Sequence, residues 1–218
     1  MRDCATSLQS ELADDELSLL LNTLKNLAPK GKVLEIGTAA GGTLWQMFNA
    51  VKEVVESPNF VALDPMCYFP NQLSVVKENL IDNGIDAEQV DFRIDFSANA
   101  FAGAKRDQEE FELIFVDGNH KCRYVMQDLD WLSLLRVNGF AVFHDYGQAH
   151  KGVKKAVDTF LKNNSNYVQR GLVRELLVVE KIAETHKQEV SKLDHAMAVI
   201  YTFLFQFERS LKKRFRSA

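Results

Sequence analysis

Five short apolar runs punctuate the chain, at residues 33–36, 60–64, 90–94, 111–117 and 139–145. Each is too short for a helix and ends at a polar or acidic residue, which is how a buried parallel strand reads. Between them lie stretches with apolar positions three or four apart: 44–51, 71–83, a segment opening near Ser97, 121–136 and 151–162. That spacing predicts amphipathic helices. Pro65 stops the second run, and Asn83-Gly84 closes the helix that follows it. Both are breakers by backbone chemistry.

Strands and helices alternating at this spacing are βαβ units, so the pattern predicts an α/β protein with a parallel, doubly wound sheet. A helix at 8–27 comes first, with Leu8, Leu12, Leu17, Leu20, Leu21 and Leu24 on one side and Pro29 and Gly31 at its end. It is expected to pack across the sheet edge. After residue 165 the pattern changes, and 167–173 and 176–180 read as a β-hairpin. Residues 184–216 then form a long C-terminal helix. Val190, Leu193, Met197, Ile200, Leu204, Phe207 and Leu211 alternate steps of three and four along it. That is a heptad seam, and it either docks on the domain's own surface or pairs two copies in a homodimer. The chain is therefore divided into a domain at 1–182, including the N-terminal helix at 8–28, and a helical extension at 183–218.

Composition narrows the class. A length of 218 residues with 46% apolar content suits one α/β domain with a full core. The 26 basic residues fall short of the 30 acidic ones, for a net charge of −4. This argues against a nucleic-acid partner, which calls for a basic face. No apolar leader stands in residues 1–8 and no run is long enough to span a membrane. Cys4, Cys67 and Cys122 are scattered, as reduced thiols of a cytoplasmic protein would be. The end, Lys212-Lys213-Arg214-Phe215-Arg216, is basic, which suits either a solvated helix C-terminus or an anionic membrane surface.

The chemistry gathers where the strands end, since ligands of open α/β sheets bind outside those ends. The first strand runs into Glu35-Ile36-Gly37-Thr38-Ala39-Ala40-Gly41-Gly42-Thr43. Glycines let this turn adopt positive φ and come close to a ligand. The G-x-G of a dinucleotide fingerprint is missing, which disfavours a nicotinamide enzyme. The acid-x-Gly-x-x-x-Gly spacing instead resembles the first motif of class I S-adenosylmethionine-dependent methyltransferases. That resemblance implies a Rossmann-like sheet of five parallel strands with an antiparallel closing hairpin, and a cofactor held by Glu35, Gly37, Gly41 and Gly42. Asp64, at the second strand end, is placed to accept ribose hydroxyls. The resemblance puts Asp95 at the adenine amino group, although capping of the helix near Ser97 competes for it.

Phe115-Val116-Asp117-Gly118-Asn119-His120 and Phe143-His144-Asp145-Tyr146 resemble the D-G-D-H and H-D-Y segments of one methyltransferase branch. It contains small-molecule and sugar O-methyltransferases, macrocin-type enzymes among them, and cephalosporin-hydroxylase-like proteins. Carried over from related enzymes, Asp117, His144 and Asp145 would hold a divalent metal, Mg²⁺ or Mn²⁺. His144 departs from the usual oxygen ligand and suits Mn²⁺ better than Mg²⁺. Without a metal, Asp117 would position the methionine end of the cofactor, with His144 and Asp145 as supporting or substrate contacts. His120 is the candidate general base, with Asp117 beside it in the catalytic set. His150 is placed to face substrate, and His186 and His195 to face solvent. Tyr68, Phe69 and Trp131 are read as core or lid aromatics or as substrate contacts.

These expectations combine into methyl transfer to an oxygen of a small molecule or sugar, possibilities that the acidic balance and the lack of an N/D-P-P-Y/F segment favour over nucleic-acid methylation. The alternatives are a metal-dependent hydroxylase-like enzyme or a non-catalytic cofactor-binding protein on the same scaffold.

Overall fold

A computed structural model describes residues 8–185, 187 and 189–216, with side chains as far as residue 212. Cys4, His186 and the side chains of Lys213, Arg214, Phe215 and Arg216 lie outside the described residues.

A seven-stranded sheet forms the centre. Its strands are β1 (Lys32–Ile36), β2 (Asn59–Leu63), β3 (Val90–Arg93), β4 (Phe111–Val116), β5 (Leu135–Phe143), β6 (Tyr167–Val173) and β7 (Leu176–Lys181). Their order is β3-β2-β1-β4-β5-β7-β6. Strands β1 to β5 pair in parallel, while β7 runs antiparallel to both β5 and β6. The order reverses between β1 and β4, the switch point at which such sheets open a crevice.

Helices cover both faces. On one face α1 (Asp14–Leu27), α2 (Gly42–Lys52) and α3 (Gln72–Asp82) bury Leu20, Leu24, Leu44, Phe48 and Val76 against the sheet. On the other, α4 (Ser97–Arg106), α5 (Cys122–Asp128), α6 (Lys151–Asn163) and α7 (Lys192–Arg216) pack around Trp131, Phe160 and Ala198. Strand β4 is buried along its whole length. It therefore carries no alternation, as a strand covered on both faces should not.

Several boundaries and one placement differ from the sequence reading. Helix α1 starts at Asp14 and not at residue 8; residues 8–12 run beside α2 instead. Leu8 carbonyl accepts from Trp45 Nε1 and Asn79 Nδ2, and Ser10 Oγ bonds Thr43 Oγ1. The helix also lies on the sheet face beside α2, not across the edge, because Leu20 and Leu24 are fully buried there. The expected helix at 121–136 gives way at Asp128 to a 3₁₀ segment, Leu129–Leu134, and β5 opens at Leu135. Finally, α7 begins at Lys192 and not at 184.

Helix α7 docks on α5 and α6 through Ala198 and Thr202, both buried. Thr202 Oγ1 accepts from Arg123 N at 3.0 Å, so it satisfies one of the orphan amides at the start of α5. The heptad seam points elsewhere. Leu193, Met197, Ile200, Leu204, Phe207 and Leu211 are exposed, and Phe203 beside them is 62% exposed.

Candidate active site

The first strand end is built by close backbone approach. Gly37 has φ +90°, and a Cβ there would lie 2.4 Å from the Asp117 carbonyl oxygen. Only glycine fits. Its N–H donates to Leu63 O, and Asp117 N donates to Ile36 O, so the ends of β1, β2 and β4 are tied into one rim. Gly41 holds φ +82° and opens α2. A Cβ on Gly42 would meet the Gln9 backbone at 2.1 Å, which is why the N-terminal strap can lie over this turn.

Glu35 lies beneath that turn, 0% exposed. Neither of its carboxylate oxygens has a hydrogen-bond partner, and Thr38 Oγ1 is buried and unbonded as well. Burial raises the Glu35 pKa well above 4.5, Asp117 and Asp64 add to this by repulsion, and the nearby Thr38 hydroxyl offsets part of it. Buried polar atoms left unmatched are rare and mark places where a partner is missing.

Asp64 is 9% exposed and already engaged. It accepts from Thr38 N, Met66 N and Gln72 Nε2 at 3.0, 2.6 and 3.2 Å. A carboxylate offers about four acceptor positions, so these bonds leave little capacity for ribose unless Gln72 gives way. Asp95 turns to its own helix, accepting from Phe96 N at 2.7 Å and Asn99 Nδ2 at 2.9 Å. Both partners stand at the entry to α4, whose cap residue is Phe96 and which has no side-chain cap bond.

The other strand ends bring Asp117, His120, His144 and Asp145 together. His144 Nδ1 lies 3.1 Å from Asp117 Oδ1 and 3.7 Å from Asp145 Oδ2. His120 Nε2 lies 2.7 Å from Asp145 Oδ2. His150, from the loop after β5, brings Nδ1 to 3.1 Å from the same oxygen. The His120 and His150 rings are 4.3 Å apart and tilted by 36°. Asp145 takes φ +57°, a left-handed conformation that is uncommon outside glycine and that gathers at functional sites.

Electrostatics follow from this packing. Burial works against a charged His144, but Asp117, then Asp145 and Glu16, outweigh it and lift its pKa to about 9. The bond to Asp145 raises the His120 pKa, against partial burial. Burial pushes Asp145 upward, yet three imidazoles overcome it and hold the carboxyl below 3.8. Asp117 goes the other way: burial raises it, only partly offset by His144.

Several contributors carried no signal in the sequence. Glu16 reaches within 3.7 Å of His144 Nε2 while accepting from Ala13 N and Glu175 N. Its spacing from Ala13 marks a helix start and says nothing of a site. Asp128 is buried, and its pKa rises to about 7, mainly by burial and against a bond from Ser97. It lines a cavity of about 10 Å³ with Asp117, Gly118, His120 and His144, at the lower limit for one water. Gly152 sets His150 against His120: a Cβ there would lie 2.3 Å from His120 O.

Other expectations settle plainly. Trp131 is fully buried and bonds Ser97 through its indole, so it is core. Tyr68 is 74% exposed, edge-on to Phe69. His195 does not face solvent freely; it pairs with Asp130 at 3.2 Å. Cys67 and Cys122 are free thiols, the first exposed and the second buried. Among the described residues no helix is long and apolar enough to cross a membrane.

A doubly wound sheet with this turn and these acidic strand ends is the architecture of a class I methyltransferase. Residues 34–146 match the methyltransferase-domain family, and the chain belongs to it. The fold is similar to that of the O-methyltransferase TomG from Streptomyces achromogenes, involved in tomaymycin synthesis and solved with S-adenosylmethionine. The two are 14% identical, with a TM-score of 0.62 over 79% of this chain and 82% of that one. It is also similar to an O-methyltransferase from Bacillus cereus in complex with S-adenosylhomocysteine (13% identity, TM-score 0.62, 78% and 83% covered). CalS11, a TDP-rhamnose 3'-O-methyltransferase of calicheamicin biosynthesis, gives 16% identity and a TM-score of 0.63 over 78% and 81%. No curated protein matches the sequence.

Proposed function

We propose that the chain transfers a methyl group from S-adenosylmethionine to a hydroxyl oxygen of a small molecule or sugar, in the cytoplasm. The observation that carries this reading is the acid-rich crevice at the switch point. Asp64 and Asp117 lie close enough there to raise the Glu35 pKa, and Glu35 has no hydrogen-bond partner of its own. A ligand bearing a sulfonium and an ammonium suits such a crevice; a pyrophosphate does not.

When bound, S-adenosylmethionine supplies an electrophilic methyl that is taken by in-line displacement. The residues' task is then positioning and deprotonation. Gly37, Gly41 and Gly42 would shape the floor, Asp64 would accept the ribose once Gln72 gives way, and Asp95 would turn from its local bonds to the adenine amino group. Asp117 faces the methionine end. His120 takes the proton from the acceptor hydroxyl through Nδ1, because Nε2 is held by Asp145. Asp145 fixes the tautomer and stabilises the imidazolium that forms. The oxygen direction rests on this proton acceptor and on the O-methyltransferase relatives of similar fold.

A divalent cation fits the same ends. Asp117, His144 and Asp145 offer ligand atoms within 4.8 Å of one another. One imidazole with two carboxylates suits Mn²⁺ better than Mg²⁺, and binding would release the proton that His144 carries. The exposed heptad seam of α7 supports a homodimer, in which Ile200 and Leu204 of two copies would meet.

The test is calorimetric titration with S-adenosylmethionine on wild type and Asp64→Ala. Binding by the wild type that weakens in the variant supports the reading. An absence of binding, with Mn²⁺ present or not, overturns it. For the seam, sedimentation of Ile200→Lys/Leu204→Lys checks the dimer, and a wild type that is already monomeric would sink it.

A further inference from the structure

We propose that His120, Asp145 and His150 form a transition-metal site, distinct from the Asp117–His144–Asp145 set and selective for Zn²⁺ or Co²⁺ over Mg²⁺. Three features of the geometry carry it.

The first is convergence. His120 Nε2 and His150 Nδ1 lie 2.7 and 3.1 Å from one oxygen, Asp145 Oδ2. All three ligand atoms lie within 4.8 Å of one another. In a tetrahedral zinc site with ligand distances of about 2.0–2.1 Å, neighbouring ligand atoms stand roughly 3.3 Å apart. The two histidine–Asp145 separations would open by up to about 0.6 Å to admit the ion.

The second is an enclosed ligand atom. His150 Nδ1 is inaccessible to solvent, and although Asp145 Oδ2 lies 3.1 Å away, the two do not meet at hydrogen-bonding geometry; the ring itself is partly exposed. The third is the way the chain is bent to produce this meeting. Asp145 holds φ +57°, and Gly152 lets the first turn of α6 touch the His120 backbone. Together they bring the loops after β4 and β5 against one another at this point.

The donor set decides the ion. Two imidazoles and one carboxylate suit Zn²⁺, Co²⁺ or Fe²⁺, while Mg²⁺ prefers oxygen ligands alone. Three protein ligands leave a fourth position for water or for a substrate oxygen. Binding displaces any proton on the two ring nitrogens to solvent. Because Asp145 Oδ2 belongs to both sets, one ion takes one set or the other. A cation here also occupies the His120 nitrogen that Asp145 otherwise orients. The site stands whether or not the chain transfers methyl groups.

The experiment is titration of the full-length protein with Co²⁺, read by visible absorption, followed by competition with Zn²⁺ and with excess Mg²⁺. Imidazole-type cobalt bands that Zn²⁺ removes and Mg²⁺ does not are the expected result. His150→Ala should weaken Co²⁺ binding by more than about tenfold, while Asp117→Asn should leave it within about twofold. His150→Cys, which restores a zinc ligand, should recover Zn²⁺ binding. His150 is partly exposed, so these variants are expected to fold, and circular dichroism checks it. Absence of cobalt bands overturns the proposal. So does binding that survives His150→Ala, or binding that is lost in Asp117→Asn, which would place the ion in the other set.

Discussion

At the ends of β1 and β2 the carboxylates meet no cation, whereas at the ends of β4 and β5 they meet three imidazoles. Glu35 is driven toward its neutral form by burial, and Asp64 is held by amide donors alone. Asp145, a few ångströms from three histidines, stays ionised at any ordinary pH. The residue type is the same; the surroundings set its charge. In the proposed function, the first half receives the positive charge of the ligand, and the second, which already contains its own, moves the proton.

The strongest way to break this contrast is to remove His120. His120→Gln should lower turnover by roughly 10²–10⁴-fold and leave S-adenosylmethionine affinity unchanged; steady-state kinetics and calorimetry separate the two. Loss of cofactor binding instead would mean that the halves are not separate. Next comes Gly152→Ala, which must push the His120 backbone aside. A displacement near 1 Å at a reacting group costs on the order of 10²-fold, so activity should fall by one to two orders, with a stability loss of about 1–3 kcal/mol seen in denaturant melts. Asp145→Asn should then lower the pKa of both His120 and His144, followed by NMR titration of the ring protons; unchanged values would refute the assignment of Asp145 as their common anchor.

The smaller effects sharpen the acid side. Asp128 is raised to about 7, so the native state holds its proton more tightly than the unfolded chain. Its contribution is fully present below pH about 4 and is lost as pH rises toward 7, at up to roughly 1.4 kcal/mol per pH unit. Asp128→Asn should flatten the stability–pH curve over that window. Burial favours the neutral form of Glu35, so Glu35→Gln should cost less stability than Glu35→Ala, as denaturant melts would show, while weakening cofactor binding. A Gln variant less stable than the Ala variant would refute this.

Much of this was legible along the chain because it is written locally. Short apolar runs ending on acids gave the five parallel strands, and the acid-x-Gly spacing gave the turn after the first of them. Asp117, His120, His144 and Asp145 each stand at a strand end, so counting strand ends brought them together before any coordinates did. What stayed hidden depends on distant contacts. The N-terminal strap needs Trp45 and Asn79 to explain it, and no local pattern separates it from a helix. The seam of α7 was read correctly as apolar, but its docking face is the small and polar side, Ala198 and Thr202. Glu16 and Gly152 join the site only through packing, and His150 has a neighbour, His120, that lies thirty residues away on another loop.

The bonds from α1 to the closing hairpin join residues 159 positions apart: Asp15 to Arg174 and Glu16 to Glu175. Such long loops close late, and a chain emerging from the ribosome must wait for its hairpin. Helix α1 can pack on α2, its neighbour along the chain, well before that. Only the last two carboxylate bonds wait, so Glu16 gains its second partner, and its final setting beside His144, from a turn made 159 residues later.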